Sequence, residues 1–334
     1  MSGPKLSDHG YMQKMWKEKH NDKTISLPKY HNASTGQSRI CAVFGDCRQI
    51  LSLLRENFNK RFRMAITSPP YWNLRDNKDP RQIGLESTLN DYIDELVRAF
   101  SLVRNLLAKD GSLFVNIGDM YEKGNLCLLP TRFAIAMKAD GWKLRNDIIW
   151  HKPNAMPMSV KNRLKNTYEH LLHFVSDDKY FYNLDAIREP HTSKGTTGWE
   201  KQKAKRGGNQ QPNGRSHFRM GKEVPFHQYF HPLGKNPGDL WSIKTKPFPA
   251  AHHSVYPEEL CTRPILATTE PGDWVLDPFC GSGTTLLVAA LNGRNAVGIE
   301  LNMKDYRLVI EKRLAPANNM FSRIEWYENQ FGLD

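Results

Sequence analysis

The sequence predicts an α/β fold, a doubly wound and mostly parallel sheet with helices on both faces. Three observations predict it. Short apolar strands alternate with amphipathic helices along most of the 334 residues. The stretch from Trp274 to Glu300 reads as one strand–turn–helix–strand unit, with a glycine-rich turn at the carboxyl end of its first strand. The alternation breaks down at 191–238, where Gly, Lys, Arg, Asn, Gln, Ser and His displace branched apolar residues. Such a segment cannot bury much surface and reads as a flexible insertion.

The elements follow in chain order. Residues 1–38 are polar and without periodicity, and read as a loose arm with a short helix near 11–19. Ile40 to Phe44 is a strand. Arg48 to Phe58 is a helix with Ile50, Leu51, Leu54 and Phe58 on one face. Arg63 to Thr67 is a strand feeding Ser68-Pro69-Pro70-Tyr71. Leu89 to Leu107 is a long helix, with Tyr92, Ile93, Leu96, Phe100, Val103 and Leu107 at helical spacing. Lys109-Asp110-Gly111 ends it, and Ser112 to Ile117 is a buried strand. A helix over Pro130 to Ala139 and strands over Leu144 to Trp150 and Tyr168 to Val175 complete this half. His170 and His173 are expected to be structural. Order is expected to return at Gly238 to Ile243.

Two turns carry chemistry. Two consecutive prolines cannot extend a helix or donate to a sheet ladder, so the chain leaves its strand at Ser68 in a stiff, extended turn. That turn offers a hydroxyl, a backbone carbonyl and an aromatic ring. Acceptors beside a stacking platform suit a planar heterocycle carrying an amino group. In Asp277-Pro278-Phe279-Cys280-Gly281-Ser282-Gly283-Thr284-Thr285, Gly281 and Gly283 allow close approach of a ligand. A dinucleotide site usually has a third glycine and holds a pyrophosphate. Here the third glycine is missing, and Asp277 would repel phosphate but could hold an ammonium group. Glu300 is placed to accept ribose hydroxyls. An amino acid joined to a nucleoside fits better, and S-adenosylmethionine is that compound. Taken alone, the motif also allows a glycine-rich turn of an unrelated α/β enzyme.

Together the two turns resemble those of the amino-group DNA methyltransferases, in the circularly permuted order of the subgroup called beta. The resemblance runs from about Ile40 to Leu314. It implies a Rossmann-like methyltransferase sheet with an inserted basic target-recognition region. Ser68, Pro69, Pro70 and Tyr71 then form the catalytic loop. Phe279, Gly281, Gly283 and Thr284 belong to the cofactor loop with Asp277 and Glu300. Asp46 resembles the strand-end residue that reaches the cofactor's adenine. His253 and Ser254 lie in a segment resembling the one that closes over its methionine end, and Trp72, Trp150 and Lys152 flank the target base. The implied organisation is an arm at 1–38, a catalytic half at 39–160, a recognition region at 161–247 containing the loop 191–238, and a cofactor half at 248–334.

Composition agrees. Net charge is +12. Between positions 151 and 250 there are 17 Lys or Arg against 8 Asp or Glu, an excess of nine in under a third of the chain. A basic patch is the footprint of phosphate-backbone binding. Lys201, Lys203, Lys205, Arg206, Arg215 and Arg219 are the candidate contacts to double-stranded DNA. Five scattered cysteines show neither Cys-x-x-Cys nor metal-ligand spacing, which points to a reducing compartment and no metal. No apolar run is long enough for a membrane helix, and no signal-peptide core opens the chain. A cytoplasmic monomer or homodimer is expected, with a cognate restriction endonuclease as a possible partner.

The expected reaction is transfer of a methyl group to an exocyclic amino group of an extruded base. Family members with Ser first in the tetrapeptide mostly resemble cytosine-N4 enzymes, and those with Asp first resemble adenine-N6 enzymes. Ser68 therefore favours cytosine N4, with adenine N6 as the alternative. Three other readings compete: a silent nucleic-acid-binding protein on the same fold, a nicotinamide-dependent oxidoreductase, and an enzyme methylating protein glutamine or RNA.

Overall fold

The computed structural model describes residues 38–58, 61–74, 76, 78–191, 231–246, 255–317 and 322–328. Residues 1–37 of the expected arm and 192–230 of the expected loop lie outside them.

The elements in chain order are β1 (Ser38–Phe44), α1 (Cys47–Asn57), β2 (Phe62–Thr67), α2 (Leu89–Leu106), β3 (Leu107–Ile117), the small pair β4 (Tyr121–Glu122) and β5 (Asn125–Leu126), α3 (Leu129–Ala139), β6 (Lys143–His151), β7 (Tyr168–Val175), β8 (Leu240–Ser242), α4 (Glu258–Thr268), β9 (Trp274–Asp277), α5 (Thr284–Leu291), β10 (Asn295–Glu300), α6 (Met303–Leu314) and β11 (Ser322–Glu328). Nine strands form one sheet in the order β11-β1-β10-β9-β2-β3-β7-β6-β8. β7 alone runs against the rest, pairing antiparallel with both β3 and β6.

Strand alternation sorts side chains onto two cores. Cys41 and Val43 of β1 and Val297 and Ile299 of β10 face a core shared with α1, α2 and α3. Ile40, Ala42 and Phe44, with Val275 of β9, face a second core shared with α4, α5 and α6. Helices from the first half of the chain thus cover one face, and helices from the second half cover the other. α1 opens on Asp46 as its N-cap, and α2 on Thr88, whose side chain accepts from Asp91 N.

Two expectations need correction. Lys109-Asp110-Gly111 does not separate helix from strand by a free turn, because α2 runs directly into β3. The turn survives as a bulge: Phe62 pairs with Leu107 and Met64 with Ser112, so three extra residues are accommodated on β3. β7, placed by sequence in the recognition region, is an interior strand of the main sheet. The strands of the two supposed halves also interleave, since β9 and β10 stand between β1 and β2.

Candidate active site

β2 ends at the buried Thr67, and Pro69 and Pro70 then stop the ladder. The turn is fixed from behind. Tyr92 of α2, fully buried, donates its hydroxyl to Pro70 O at 2.7 Å. Asn73 N donates to Gly84 O, and Trp72 Nε1 donates to Glu86 O at 2.8 Å. Ser68 and Tyr71 remain half-buried.

Tyr71 ends in a polar cluster built from three strands. Its hydroxyl donates to Glu169 Oε2 at 2.9 Å. Asn116 Nδ2 donates to the same oxygen at 2.7 Å and lies 3.5 Å from both Ser68 Oγ and Tyr71 OH. Lys152 pairs with Glu169 Oε1, and its ammonium sits 4.2 Å from the centre of the Trp150 ring. Registry explains the convergence: Ile117 of β3 faces His170 of β7, and Trp150 of β6 faces Glu169. Gly118 makes room, because a Cβ there would meet Glu169 Cγ at 3.1 Å and the Tyr71 ring at 3.3 Å. Burial, and then the charge of Glu169, push the Tyr71 hydroxyl well above the usual tyrosine range.

The second turn is joined to the first. β2 and β9 are neighbours, with Ala65 opposite Leu276. At their ends Thr67 Oγ1 donates to Asp277 Oδ1 at 2.6 Å, across 210 positions of sequence. Asp277 Oδ1 also accepts from Phe279 N at 3.2 Å, and its Oδ2 from Thr285 Oγ1 at 2.6 Å and Tyr256 OH at 3.0 Å. The carboxyl is fully buried, and burial raises its pKa while these hydrogen bonds oppose the rise. Asp277 was expected to meet an ammonium group. Both of its oxygens are instead taken by protein donors, so it ties the two turns together.

Beyond Asp277 the chain turns through Gly281 at φ 48° and Gly283 at φ 80°, conformations that favour glycine. Glu300, at the end of β10, receives Gly281 N on Oε2 at 3.0 Å and Asn302 N on Oε1 at 2.9 Å. Burial lifts its pKa to about 7. Thr284 Oγ1, at the start of α5, is buried without a partner among the described residues. Asp46, expected at the cofactor's adenine, caps α1 through Arg48 N and grips the Arg48 guanidinium, with Nη2 to Oδ2 at 2.7 Å. Its carboxylate serves the fold before any ligand. Phe279, Gly281, Thr284 and Glu300 stand together at the carboxyl ends of β9 and β10.

Known proteins resemble this chain over most of its length. A model of the family described as DNA methylase matches residues 62–311. The chain belongs to the DNA methylase family. It is 36% identical over 332 residues to the Type II methyltransferase M.Cfr9I of Citrobacter freundii, covering 90% of this chain and 97% of that one. It is 32% identical over 327 residues to the Type II methyltransferase M.SmaI of Serratia marcescens, covering 89% and 98%. Among solved structures, a putative DNA modification methylase of Thermus thermophilus complexed with S-adenosyl-L-methionine aligns with TM-score 0.56 and 25% identity over 88% of this chain and 100% of that one. The cytosine-N4-specific PvuII DNA methyltransferase shares the fold, with TM-score 0.59 and 20% identity over 86% and 95%.

In this methylase the sheet brings the turn that follows Thr67 beside the turn that follows Asp277, with Glu300 one strand further on. His253, Ser254, Lys201, Lys203, Lys205, Arg206, Arg215 and Arg219 lie outside the described residues. Lys152 sits in the Glu169 cluster. Trp72 and Trp150 were expected to flank the base, but only 4% and 2% of their surfaces are exposed. Their indole nitrogens donate to Glu86 O and Ile243 O, and the two rings pack in opposite cores. Sequence reasoning missed Asn116 and Glu169. The one available signal was polarity out of place: Asn116 inside Phe114-Val115-Asn116-Ile117, and Glu169 at the start of the strand Tyr168–Val175. Among the described residues there is no group of three metal-ligating side chains, and no helix is long and apolar enough to cross a membrane.

Proposed function

We propose that this DNA amino-methyltransferase is site-specific and methylates the N4 amino group of cytosine in duplex DNA, using S-adenosylmethionine. The Thr67–Asp277 hydrogen bond carries the reading, because it sets the base-binding turn and the cofactor loop edge to edge at the ends of neighbouring strands. Ser68 at the head of the tetrapeptide favours cytosine.

The residues present suit this cofactor. Asp46, two residues past β1, and Asp277 and Glu300, the last residues of β9 and β10, stand at the carboxyl ends of three adjacent strands. A pyrophosphate would face their charge, whereas a nucleoside joined to an amino acid through a sulfonium brings positive charge. Thr284 Oγ1 is a buried polar atom that a ligand at this helix end would satisfy. Glu300 would accept ribose hydroxyls, and Phe279 and Gly281 would line the nucleoside. S-adenosylmethionine supplies an electrophilic methyl group, whose bond to sulfur breaks with its electron pair on sulfur as the amino nitrogen forms the new bond.

The chain's own groups place the acceptor. A duplex base must leave the stack, at a cost of a few kcal/mol. Stacking on Tyr71 returns roughly 1–3 kcal/mol. Ser68 Oγ and Pro69 O accept the amino hydrogens and hold the nitrogen lone pair toward the methyl carbon. After transfer the nitrogen is acidic and loses a proton to water, so catalysis rests on positioning and electrostatics. DNA contact would extend to the loop between β6 and β7. There Lys161, Arg163 and Lys165 stand beside Leu164, which is 90% exposed. The names of the curated relatives also support pairing with a restriction endonuclease.

The test is incubation with labelled S-adenosylmethionine and unmethylated plasmid, followed by mass spectrometry of the nucleosides. N4-methylcytosine is expected. N6-methyladenine alone would refute the cytosine assignment, and no methylated nucleoside would refute the function.

A further inference from the structure

Asn116 is 3% exposed and stands at the centre of the cluster beneath the catalytic turn. Its amide orientation is chemically fixed. Glu169 Oε2 already receives the Tyr71 hydroxyl and has only lone pairs to offer, so the Asn116 group 2.7 Å away must be the NH2. Lys152 on Oε1 holds that carboxylate in place. The consequence is Asn116 Oδ1, a buried acceptor without a partner among the described residues. Leaving such an atom unpaired is destabilising, so its presence calls for a donor. It belongs to a carboxamide whose nitrogen is 3.5 Å from Ser68 Oγ and from Tyr71 OH.

We infer that Asn116 is a further catalytic residue, whose Oδ1 accepts a hydrogen of the target amino group, and that Glu169 is the positioning residue that aims it. The inference rests on the reading of Ser68 to Tyr71 as the base site. Two acceptors, Ser68 Oγ and Pro69 O, match the two in-plane hydrogens of a conjugated amine. As the nitrogen becomes tetrahedral, its N–H bonds swing out of plane and gain positive charge. A third acceptor beside Ser68 meets them there, so it favours the transition state over the bound base. Cytosine and adenine amino groups pass through the same change, so the role holds for either base.

The test compares single-turnover methyl transfer to plasmid DNA, S-adenosylmethionine affinity by calorimetry and thermal midpoint in four variants. Asn116→Ala is expected to lower the transfer rate about 30-fold or more, with cofactor affinity changed less than about twofold. Glu169→Gln presents an NH2 to Asn116, turns the amide over, and is expected to be similarly slow. Asn116→Asp places a second carboxylate against Glu169 and is slow as well. Combining Asn116→Asp with Glu169→Gln restores one donor between the pair and one acceptor left over, and should recover to within about 10-fold of wild type. Transfer by Asn116→Ala within about threefold of wild type overturns the inference, as does cofactor affinity falling in step with rate. Should Asn116→Ala fail to fold, the double variant decides: recovery supports the role, and no recovery over Asn116→Asp refutes it. Wild-type protein forming N6-methyladenine would refute the cytosine assignment and leave this inference standing. Wild-type protein methylating no base would refute both.

Discussion

The carboxyl of Glu300 lies at the end of β10, where removal from water raises its pKa from the usual 4.5 to about 7 against the pull of the Asn302 and Gly281 amides. Between those values the folded chain binds more protons than the unfolded one. Stability therefore falls as pH rises through that window, by up to about 3 kcal/mol, and levels off above it. Asp277, raised by burial, acts in the same direction. Glu300→Gln should flatten the dependence, which urea midpoints at pH 5 and pH 8 would reveal. An unchanged slope would assign the pH dependence to other groups. His173 behaves oppositely: burial lowers its pKa to about 3, its ring is 3.0 Å from Ser112 Oγ, and it stacks on Phe114. It is neutral and structural, as its place in an apolar strand suggests. Residue chemistry was legible wherever it resided in a turn. Ser68 and Gly281 could be read because prolines and glycines announce their backbone. Asn116 and Glu169 could not, because their meaning depends on which strands lie side by side.

At the scale of elements, α2 does more than cover the sheet. Its buried face, from Tyr92 through Leu96, Phe100 and Val103, fixes the helix against the first core. The Tyr92 hydroxyl then holds the Pro70 carbonyl. Tyr92→Phe keeps the ring and removes that bond. It should cost about 1 kcal/mol of stability. It should also slow methyl transfer several-fold without weakening cofactor binding, since the turn loosens while the cofactor loop is untouched. Denaturant unfolding and single-turnover rates on one preparation check both halves. The helix itself was legible from its periodicity, to within a residue of its observed end. Its junction with β3 was not: Lys109-Asp110-Gly111 has turn composition, yet sheet pairing absorbs it as a bulge. Composition marks an irregularity and does not decide whether pairing continues through it.

Across the whole molecule, chain order and spatial order diverge. β9 and β10, from the end of the sequence, stand between β1 and β2 from its beginning. That interleaving sets two turns some two hundred positions apart side by side, joined by Thr67 and Asp277. The doubly wound class could be read from alternating strands and helices, because each needs an apolar face against the other. The reversal of β7 could not, since an apolar run of that length fits either direction. The separation of tasks across the shared edge gives the most direct measurement of the account. Ser68→Ala should reduce single-turnover methyl transfer about 100-fold while its affinity for S-adenosylmethionine, measured by calorimetry, stays within about twofold of wild type. Undiminished transfer, or cofactor affinity falling in proportion to rate, would contradict a site in which one turn presents the amino group and the other holds the methyl donor.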